Sequence, residues 1–179
     1  MRIIAGTLKG RRLQAPPLPD TRVRPTADRA REALFSILQR WPQGPFLDLF
    51  AGTGAVAVEA RSRGYGPVAC VERDPAALAC ARANTRGTAV QVAARDALRL
   101  PADAYPGQMV IFADPPYEQS LACWQALAGR LASWLDPDGV LVWETAAGTP
   151  LPPAPGLAEL EARRYGAAEF HLLRTEPAP

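Results

Sequence analysis

Histidine, lysine and cysteine are all scarce in this sequence of 179 residues. There is one histidine, His171, and one lysine, and the three cysteines, Cys70, Cys80 and Cys123, are widely spaced and form no CxxC pair. This spacing predicts neither a disulfide framework nor a structural zinc site, and it is typical of the reducing cytoplasm. A lone histidine without a matched cysteine gives little support to catalytic triads or metal chemistry. We therefore expect a cytoplasmic protein that needs no metal.

Long apolar runs are absent as well. No stretch approaches the ~18 apolar residues that a membrane-spanning helix needs, and charge interrupts the amino terminus before a signal peptide could form. Apolar residues make up 48% and charged residues 21% of the chain, which is ordinary for a globular protein. The length leaves room for one sizeable core. The sequence thus predicts one globular domain and no membrane association.

The net charge of +2 conceals an uneven distribution. Residues 1–31 contain eight basic and two acidic side chains, whereas the rest of the chain contains twelve basic and sixteen acidic ones. A basic arm on a mildly acidic body can bind a polyanion, although a solvated, arginine-rich surface explains the pattern equally well. We expect a basic N-terminal hairpin or arm over residues 1–22, joined to one domain over residues 23–179.

Hydrophobic periodicity predicts an α/β domain. A short hairpin, residues 3–8 with 11–14, turns at Lys9-Gly10, and a helix from Ala27 to about Arg40 is capped by Thr26. Short apolar strands then alternate with helices, which is typical of a parallel sheet covered on both faces, and the last two strands should add an antiparallel edge. The result is a mostly parallel, seven-stranded, Rossmann-like fold. The predicted strands are 46–50, 68–72, 90–93, 109–113, 140–144, 157–164 and 168–174. A first helix is predicted between them at 56–63, and Asp74-Pro75 begins a second helix that ends near Gly87. A third helix, before a turn at 136–139, has an apolar stripe of Leu121, Trp124, Leu127, Leu131 and Leu135.

A glycine turn, Gly52-Thr-Gly54, is predicted where the first strand meets the following helix. Glycines there let the backbone approach a ligand closely, above the helix N-terminus. Glu72 closes the second strand, where a carboxylate can accept both hydroxyls of a ribose. Asp48 suits the ammonium of S-adenosylmethionine better than a pyrophosphate, and Asp96 is within reach of the adenine or amino-acid end of that cofactor. Two other interpretations stay open. In one, the glycines form only a tight turn without a ligand; in the other, the segment binds a dinucleotide, because the six residues from Gly52 also fit that pattern.

The tetrapeptide Asp114-Pro115-Pro116-Tyr117 follows the fourth predicted strand. Two prolines fix the backbone at the carboxyl edge of the sheet, where open α/β sheets bind ligands. The Asp114 carboxylate and the Pro115 carbonyl can accept the two N–H groups of an aromatic amine, which favours a pyramidal nitrogen with its lone pair aimed at a methyl donor. Tyr117 can stack on an extruded base. The alternative is a proline-stiffened turn with an ordinary surface tyrosine.

Several segments, taken in order, resemble one family of methyltransferases. They are Arg24-Pro-Thr-Ala-Asp-Arg-Ala-Arg-Glu-Ala-Leu-Phe, Asp48-Leu-Phe-Ala-Gly-Thr-Gly, Val71-Glu-Arg-Asp and Asp114-Pro-Pro-Tyr, with a similar opening, Arg2-Ile-Ile-Ala-Gly-Thr-Leu-Lys-Gly-Arg-Arg-Leu. From residue 2 to about Glu144 the chain resembles the RsmD family of bacterial 16S rRNA guanine-N2 methyltransferases. Many relatives have phenylalanine in place of Tyr117, which preserves stacking. The resemblance implies a class I methyltransferase fold and methyl transfer from S-adenosylmethionine to N2 of a guanine in 16S rRNA, leaving S-adenosylhomocysteine.

The resemblance also implies a set of site residues. The base chemistry is expected at Asp114, Pro115, Pro116 and Tyr117. The expected cofactor-binding residues are Thr26, Asp48, Phe50, Gly52, Gly54, Glu72, Arg73, Asp96 and Ala97. Charge, rather than the resemblance, gives the expected RNA-binding residues, Lys9, Arg11, Arg12, Arg22 and Arg24; the four arginines border the predicted cleft and would contact phosphates. The expected partner is 16S rRNA, the small ribosomal subunit or an assembly intermediate of it, bound by a monomer without metal.

Three other functions stay open. The same tetrapeptide geometry would serve N6 of adenine in DNA or RNA, although a chain of this length has no evident DNA target-recognition domain. A nicotinamide-dependent oxidoreductase could use the glycine turn and Glu72 but would leave the tetrapeptide unexplained. A non-catalytic RNA-binding module would use the basic arm alone. His171 is interpreted as a packing or surface residue, and Trp124 and Trp134 as core residues.

Overall fold

The computed structural model describes residues 1–15 and 25–176. Its elements, in chain order, are α1 (Pro25–Leu38), β1 (Phe46–Leu49), α2 (Ala55–Ser62), β2 (Val68–Glu72), α3 (Pro75–Thr85), β3 (Val90–Ala94), β4 (Gln108–Ala113), α4 (Ser120–Trp134), β5 (Leu135–Ala146), β6 (Leu157–Tyr165) and β7 (Ala168–Thr175). Two short 3-10 helices, Ala97–Arg99 and Tyr117–Gln119, lie after β3 and β4.

One sheet contains all seven strands of the described residues, in the order β3-β2-β1-β4-β5-β7-β6. The first five strands in this order are parallel to one another, whereas β7 is antiparallel to both β5 and β6. The prediction of a mostly parallel, seven-stranded, Rossmann-like sheet with an antiparallel edge is confirmed. Because β1 and β4 are adjacent, the segments that follow them meet at the same carboxyl edge.

Helices cover both faces of the sheet. Leu47 and Leu49 of β1 pack in a buried cluster with Trp124 and Leu131 of α4. Phe46, on the other face of the same strand, packs in a second cluster that contains Phe35 of α1. This alternation follows from the two-residue period of a strand, and it gives the three-layer arrangement expected from the apolar strands.

The bounds of α1 differ from the prediction. The helix begins at Pro25 and ends at Leu38, each two residues earlier than expected. Thr26 therefore lies in the first helical turn, and its assignment as the N-cap was wrong. Proline suits the start of a helix because its fixed φ is helical and its missing N–H would have no partner there.

The fourth helix and the strand after it also depart from the prediction. Leu121 is 40% exposed, and Leu135 belongs to β5, so neither extends the buried stripe of α4. The turn expected at residues 136–139 lies within the bounds of β5. The pairing of β4 with β5 shifts register between Gln108 and Val110, so the extra residues of β5 bulge from the ladder.

The N-terminal segment, residues 1–15, makes one antiparallel bridge, between Arg2 and Arg12, rather than two regular strands. Within the segment, the N–H of Ile3 donates to the carbonyl of Arg11 at 3.0 Å and the N–H of Gly10 to the carbonyl of Ile3 at 2.9 Å. The segment also bonds to α2, because Ile4 and Ala5 donate to the Glu59 carboxylate at 2.7 and 3.0 Å. Gly6 has a φ of +82°, and a Cβ there would lie 1.8 Å from the carbonyl oxygen of Ser62. The predicted antiparallel pairing of this segment is confirmed, but its connection is longer than the expected turn at Lys9-Gly10, since residues 4–9 join the paired Ile3 and Gly10. The boundary expected between residues 22 and 23 lies outside the described residues.

Candidate active site

A cleft of about 1570 Å³ runs along the carboxyl edge of the parallel strands. Its walls come from the glycine turn after β1, the end of β2, the loop after β3 and the tetrapeptide after β4, segments that are far apart in sequence. The predicted site residues that line it are Phe50, Gly52, Glu72, Arg73, Asp96, Ala97, Asp114, Pro115, Pro116 and Tyr117. The two motifs found by sequence analysis thus face one cavity.

The glycine turn has an unusual backbone. Gly52 and Gly54 have φ values of +54° and +71°, which favour glycine, and Phe50 has a φ of +60° although it carries a side chain. The Phe50 conformation ends β1 one residue earlier than predicted. A Cβ on Gly54 would lie 3.4 Å from Cβ of Ala81, so α3 packs closely against the turn. Positive φ at a non-glycine residue stores strain that is common at binding sites.

Glu72 braces this turn from the end of β2. One carboxylate oxygen, Oε2, accepts the N–H of Gly52 at 2.7 Å, and Oε1 accepts the N–H groups of Arg73 and Asp74, each at 2.7 Å. A carboxylate offers about four acceptor positions, of which these bonds use three. Glu72 is half-buried in the cleft wall, so about one acceptor position is left for a ligand.

Asp96 and Arg73 form the rim next to Glu72. The Asp96 carboxylate accepts the N–H of Leu98 at 3.0 Å, which caps the 3-10 helix that contains Ala97. The other carboxylate oxygen is 3.0 Å from Nη1 of Arg73. The Arg73 side chain is 57% exposed, so this ion pair contributes little to stability. The rim is ordered by hydrogen bonds to the backbone more than by charge pairing.

Asp48 lies behind the turn, and only 1% of it is exposed. Its carboxylate accepts the N–H of Ala57 at 3.1 Å, in the first turn of α2. Burial raises the pKa of Asp48 well above its ordinary value of 3.8, and the charges of Asp114 and Glu72 raise the pKa further, while the Ala57 hydrogen bond lowers it. Three carboxylates therefore concentrate negative potential at this end of the cleft. Gly54 is buried beside Asp48, so both lie behind the residues that line the cavity.

The tetrapeptide forms the opposite wall. Its backbone is continuous with the sheet, since the N–H of Asp114 points to the carbonyl of Leu49 at 3.5 Å. Pro115 is buried, whereas Asp114, Pro116 and Tyr117 are exposed to the cleft side. The buried proline fixes the backbone, and the exposed groups are presented to an incoming ligand.

Glu144, at the end of β5, holds the Tyr117 ring. The Tyr117 hydroxyl donates to Oε1 of Glu144 at 2.9 Å, and the Glu144 side chain is buried. Ser120 donates to the Glu144 carbonyl at 3.3 Å and accepts the indole N–H of Trp143 at 3.0 Å. Sequence analysis missed Glu144 as a site residue, although an acid at a strand end is the same signal that identified Glu72.

An apolar wall beside the tetrapeptide was also missed. Side chains of α1, β4 and β7 line the cleft there: Ala30, Leu34, Phe112, Ala168 and Phe170. Helical periodicity predicts that Ala30 and Leu34 share one apolar stripe of α1. It could not tell that this stripe reaches the cleft, because that depends on how α1 packs on the sheet.

The predicted RNA-binding residues are only partly described. Arg22 and Arg24 lie outside the described residues, as does the side chain of the predicted cofactor residue Thr26. Lys9 and Arg12 are exposed on the N-terminal segment, and Arg11 is half-buried. These three cations do not line the cleft; from the same region of the chain, Met1 and Arg31 do.

His171 and the tryptophans pack as expected. His171 is 2% exposed, and its ring nitrogens lie 3.0 Å from Oε1 of Glu159 and 3.1 Å from Oγ1 of Thr145. Trp124 and Trp134 are at most 1% exposed. The packing assignments of these three residues are confirmed.

The described residues contain neither a candidate metal cluster nor a candidate membrane span. Residues 1–15 and 25–176 contain no group of three or more His, Cys, Asp or Glu side chains that could hold a metal ion. In the same part of the chain, no helix has both the length and the apolar composition needed to span a bilayer.

The chain is similar to known proteins over most of its length. A family model described as conserved hypothetical protein 95 matches residues 1–174. The chain is 36% identical over 165 residues to YlbH of Bacillus subtilis, covering 87% of this chain and 88% of YlbH. It is 31% identical over 182 residues to the ribosomal RNA small subunit methyltransferase D of Haemophilus influenzae, covering 96% of this chain and 92% of that protein.

A solved structure extends the likeness to three dimensions. A hypothetical protein of Thermus thermophilus aligns over 98% of this chain and 99% of its own, with a TM-score of 0.79 and 30% identity. The sheet order and the matched length agree with a Rossmann-like, class I methyltransferase fold. With a family model that covers residues 1–174, the chain belongs to the conserved hypothetical protein 95 family, which is the RsmD family.

Proposed function

We propose that this protein transfers the methyl group of S-adenosylmethionine to the exocyclic N2 of a guanine in 16S rRNA. The observation that carries the proposal is the shared cleft, in which the Asp114–Tyr117 tetrapeptide faces the glycine turn and Glu72. The amine that accepts the methyl group and the methyl donor would be adjacent if they were bound on these two walls. The named activity of the Haemophilus influenzae relative supports an rRNA substrate.

The wall formed by the glycine turn, Glu72, Asp96 and Ala97, here called the cofactor wall, fits S-adenosylmethionine. Glu72 has about one acceptor position left, which suits one ribose hydroxyl rather than the two expected from the sequence. A Cβ on Gly52 would meet no atom of the described residues within 4 Å, so the turn leaves open space for a ligand. Phe50 and Ala97 add apolar surface. When bound, the cofactor supplies a methyl group on a positively charged sulfur.

The carboxylates at this end of the cleft, which come from both walls, favour a cation over a pyrophosphate. Asp48, Glu72 and Asp114 are close enough for the charges of the other two to raise the pKa of Asp48. A ligand with ammonium and sulfonium groups relieves this repulsion, whereas a dinucleotide phosphate would increase it. This is a physical reason to prefer a methyl donor to nicotinamide cofactors.

On the opposite wall, the chain's own groups orient the amine. The Asp114 carboxylate and the Pro115 carbonyl accept the two N–H groups of N2, which lowers the delocalisation of its lone pair into the ring. Tyr117, whose hydroxyl is fixed by Glu144, stacks on the flipped guanine, a contact worth ~1–3 kcal/mol. When N2 is methylated it loses one proton, which the exposed Asp114 carboxylate can pass to solvent.

We further propose that the substrate is 16S rRNA, free or within the small subunit or its precursor, and that the enzyme is a cytoplasmic monomer. The cysteines support a reducing compartment, because all three are free. Phosphates would bind the cations of the N-terminal segment.

The test is labelled-methyl transfer to undermodified 16S rRNA and to small subunits assembled on it, followed by nucleoside analysis. We expect the label in N2-methylguanosine. Label in N6-methyladenosine would refute the guanine assignment, and no label in any RNA would support a non-catalytic RNA-binding module. A thermal-shift comparison adds a check on the cofactor: S-adenosylhomocysteine should stabilise the protein and NAD should not.

A further inference from the structure

Two stretches of the chain carry cations and no acid. Residues 1–15 contain Arg2, Lys9, Arg11 and Arg12, and residues 75–95 contain Arg82, Arg86 and Arg95, with no Asp or Glu in either stretch. The whole chain has nearly balanced charge, with 20 basic and 18 acidic residues. Charge of one sign is therefore concentrated in two stretches that are about 60 residues apart.

The fold brings these stretches together. The N–H of Gln14 donates to Oδ1 of Asn84 at 2.7 Å, and Nδ2 of Asn84 donates to the carbonyl of Gln14 at 3.0 Å. Nη2 of Arg11 donates to the carbonyl of Arg86 at 2.9 Å. The N-terminal segment thus lies along the C-terminal end of α3. Asn84 is 3% exposed, so this junction is part of the packed structure.

The cations at this junction face solvent. Lys9, Arg12, Arg82 and Arg86 are exposed, and Arg11 is half-buried. Arg82 lies in the last turn of α3, and Arg86, four residues later, is its C-cap, so the two side chains leave the same end of the helix. None of the five forms an ion pair with an acid in residues 1–15 or 25–176. Neighbouring like charges without counter-charges repel, and a bound polyanion would offset that repulsion.

This junction also contacts the active site. Nδ2 of Asn84 donates a second hydrogen bond, at 2.9 Å, to the carbonyl of Thr53, which lies in the glycine turn and lines the cleft. One buried amide therefore joins the N-terminal segment, α3 and the cofactor wall. A polyanion bound at the junction would run beside the cleft rather than on a remote face.

We propose that Lys9, Arg11 and Arg12 of the N-terminal segment and Arg82 and Arg86 at the C-terminal end of α3 form one continuous surface, the basic platform, which binds the phosphodiester backbone of the RNA substrate. The proposal rests on the function proposed above and adds α3 to the RNA-binding region. Arginine suits this role because its planar guanidinium binds phosphate through paired hydrogen bonds. Arg11 also places a positive charge at the C-terminal end of α3, but the hydrogen bond to Arg86 uses one of its five donors.

The test compares two double variants that change the net charge equally. Arg82→Glu/Arg86→Glu reverses the charge of the part of the platform at the end of α3. Arg164→Glu/Arg174→Glu reverses the charge at two exposed arginines of the hairpin formed by β6 and β7. Affinity for unmodified 16S rRNA is measured by filter binding at several salt concentrations, and S-adenosylhomocysteine binding is measured on the same preparations to check the fold.

We expect the α3 variant to bind RNA about tenfold more weakly than wild type, and the slope of log affinity against log salt to fall by about 1.5, because each lost phosphate contact removes roughly 0.7–0.9 from it. The hairpin variant should keep the wild-type slope, and both should bind S-adenosylhomocysteine normally. Arg82→Gln/Arg86→Gln, which adds no negative charge at the helix end, should show a smaller loss in the same direction.

Equal losses in the two reversal variants would overturn the platform, because net charge alone would explain them. An unchanged slope in the α3 variant would overturn it as well. Either result would leave the proposed methyl transfer standing if wild type still labels guanine. Absence of any RNA binding by wild type would instead contradict the proposed function and the platform together.

Discussion

The two walls of the cleft are built differently. On the cofactor wall, Glu72, Asp96 and Asp48 all accept backbone N–H groups, and the turn is fixed by positive φ values. On the tetrapeptide wall, most side chains are exposed, and Tyr117 is oriented by one side-chain hydrogen bond to Glu144. A small cofactor can bind a preformed wall, whereas a base that belongs to a large RNA needs an open one. Substitutions on the two walls should therefore affect different steps.

The largest expected effect comes from Asp114→Ala on the tetrapeptide wall. Without the carboxylate, one N–H of the target amine has no acceptor, and the methyl-transfer rate at saturating cofactor should fall by about 10²- to 10³-fold. S-adenosylhomocysteine affinity, measured by calorimetry, should change by no more than about twofold. Asp114→Asn, which keeps one acceptor oxygen, should lose less activity. Unchanged turnover in the alanine variant would refute the role of Asp114.

Glu72→Ala tests the cofactor wall. The substitution leaves the N–H groups of Gly52, Arg73 and Asp74 without their acceptor and removes the ribose contact, so S-adenosylhomocysteine affinity should fall by about 30-fold, or ~2 kcal/mol. The transfer rate at saturating cofactor should fall much less. Glu72→Gln keeps one acceptor oxygen and should give an intermediate affinity. A large loss of rate with unchanged affinity would show that the two walls are not separable.

A smaller effect is expected from the bond that orients the stacking ring. Tyr117→Phe and Glu144→Gln should each lower kcat/KM for RNA by about fivefold, or ~1 kcal/mol, with cofactor affinity unchanged. Because both residues share one bond, the double variant should lose little more than either single variant. Fully additive losses would mean that Glu144 does not act through the tyrosine hydroxyl. Tyr117→Ala, which also removes the stacking, should lose more than Tyr117→Phe.

The smallest predicted effect is a pH dependence from Asp48. Its pKa is raised on folding, so the folded protein keeps the proton to higher pH than the unfolded chain does. The contribution of Asp48 to stability should therefore fall as pH rises above about 4, until the raised pKa is passed, and then stay constant. Urea unfolding between pH 5 and 8 should show Asp48→Asn becoming more stable relative to wild type as pH rises. A difference that does not change with pH would contradict the buried, protonatable carboxyl.

The sequence could predict the sheet and both motifs because local patterns determine them. Apolar strands at 68–72 and 109–113 and the Asp74-Pro75 helix start depend on nearby residues, and Asp74 does cap α3 by accepting the N–H of Ala77. Because Glu72 and Asp114 lie at or just after the carboxyl ends of parallel strands, they could also be predicted to lie at the same edge of the sheet. These predictions needed no knowledge of how distant segments pack.

Features that depend on packing could not be predicted in the same way. The residues of the N-terminal segment predict a hairpin, but they do not predict that the buried Glu59 carboxylate accepts two of its N–H groups. That contact spans more than 50 positions of the chain. Burial of Asp48 behind the turn, and the bond from Tyr117 to Glu144, likewise depend on the assembled sheet. A pattern identifies such residues, but only the fold shows which partner they meet.

The central claim is that the tetrapeptide corner faces the methyl donor held by the cofactor wall. The most direct measurement is a crystal structure with S-adenosylhomocysteine. We predict ribose density at Glu72 and a cofactor sulfur that faces Asp114, with room for one amine nitrogen about 3.5 Å from a methyl group placed on that sulfur. A sulfur that points away from Asp114, or a nucleoside bound away from Glu72, would contradict the account.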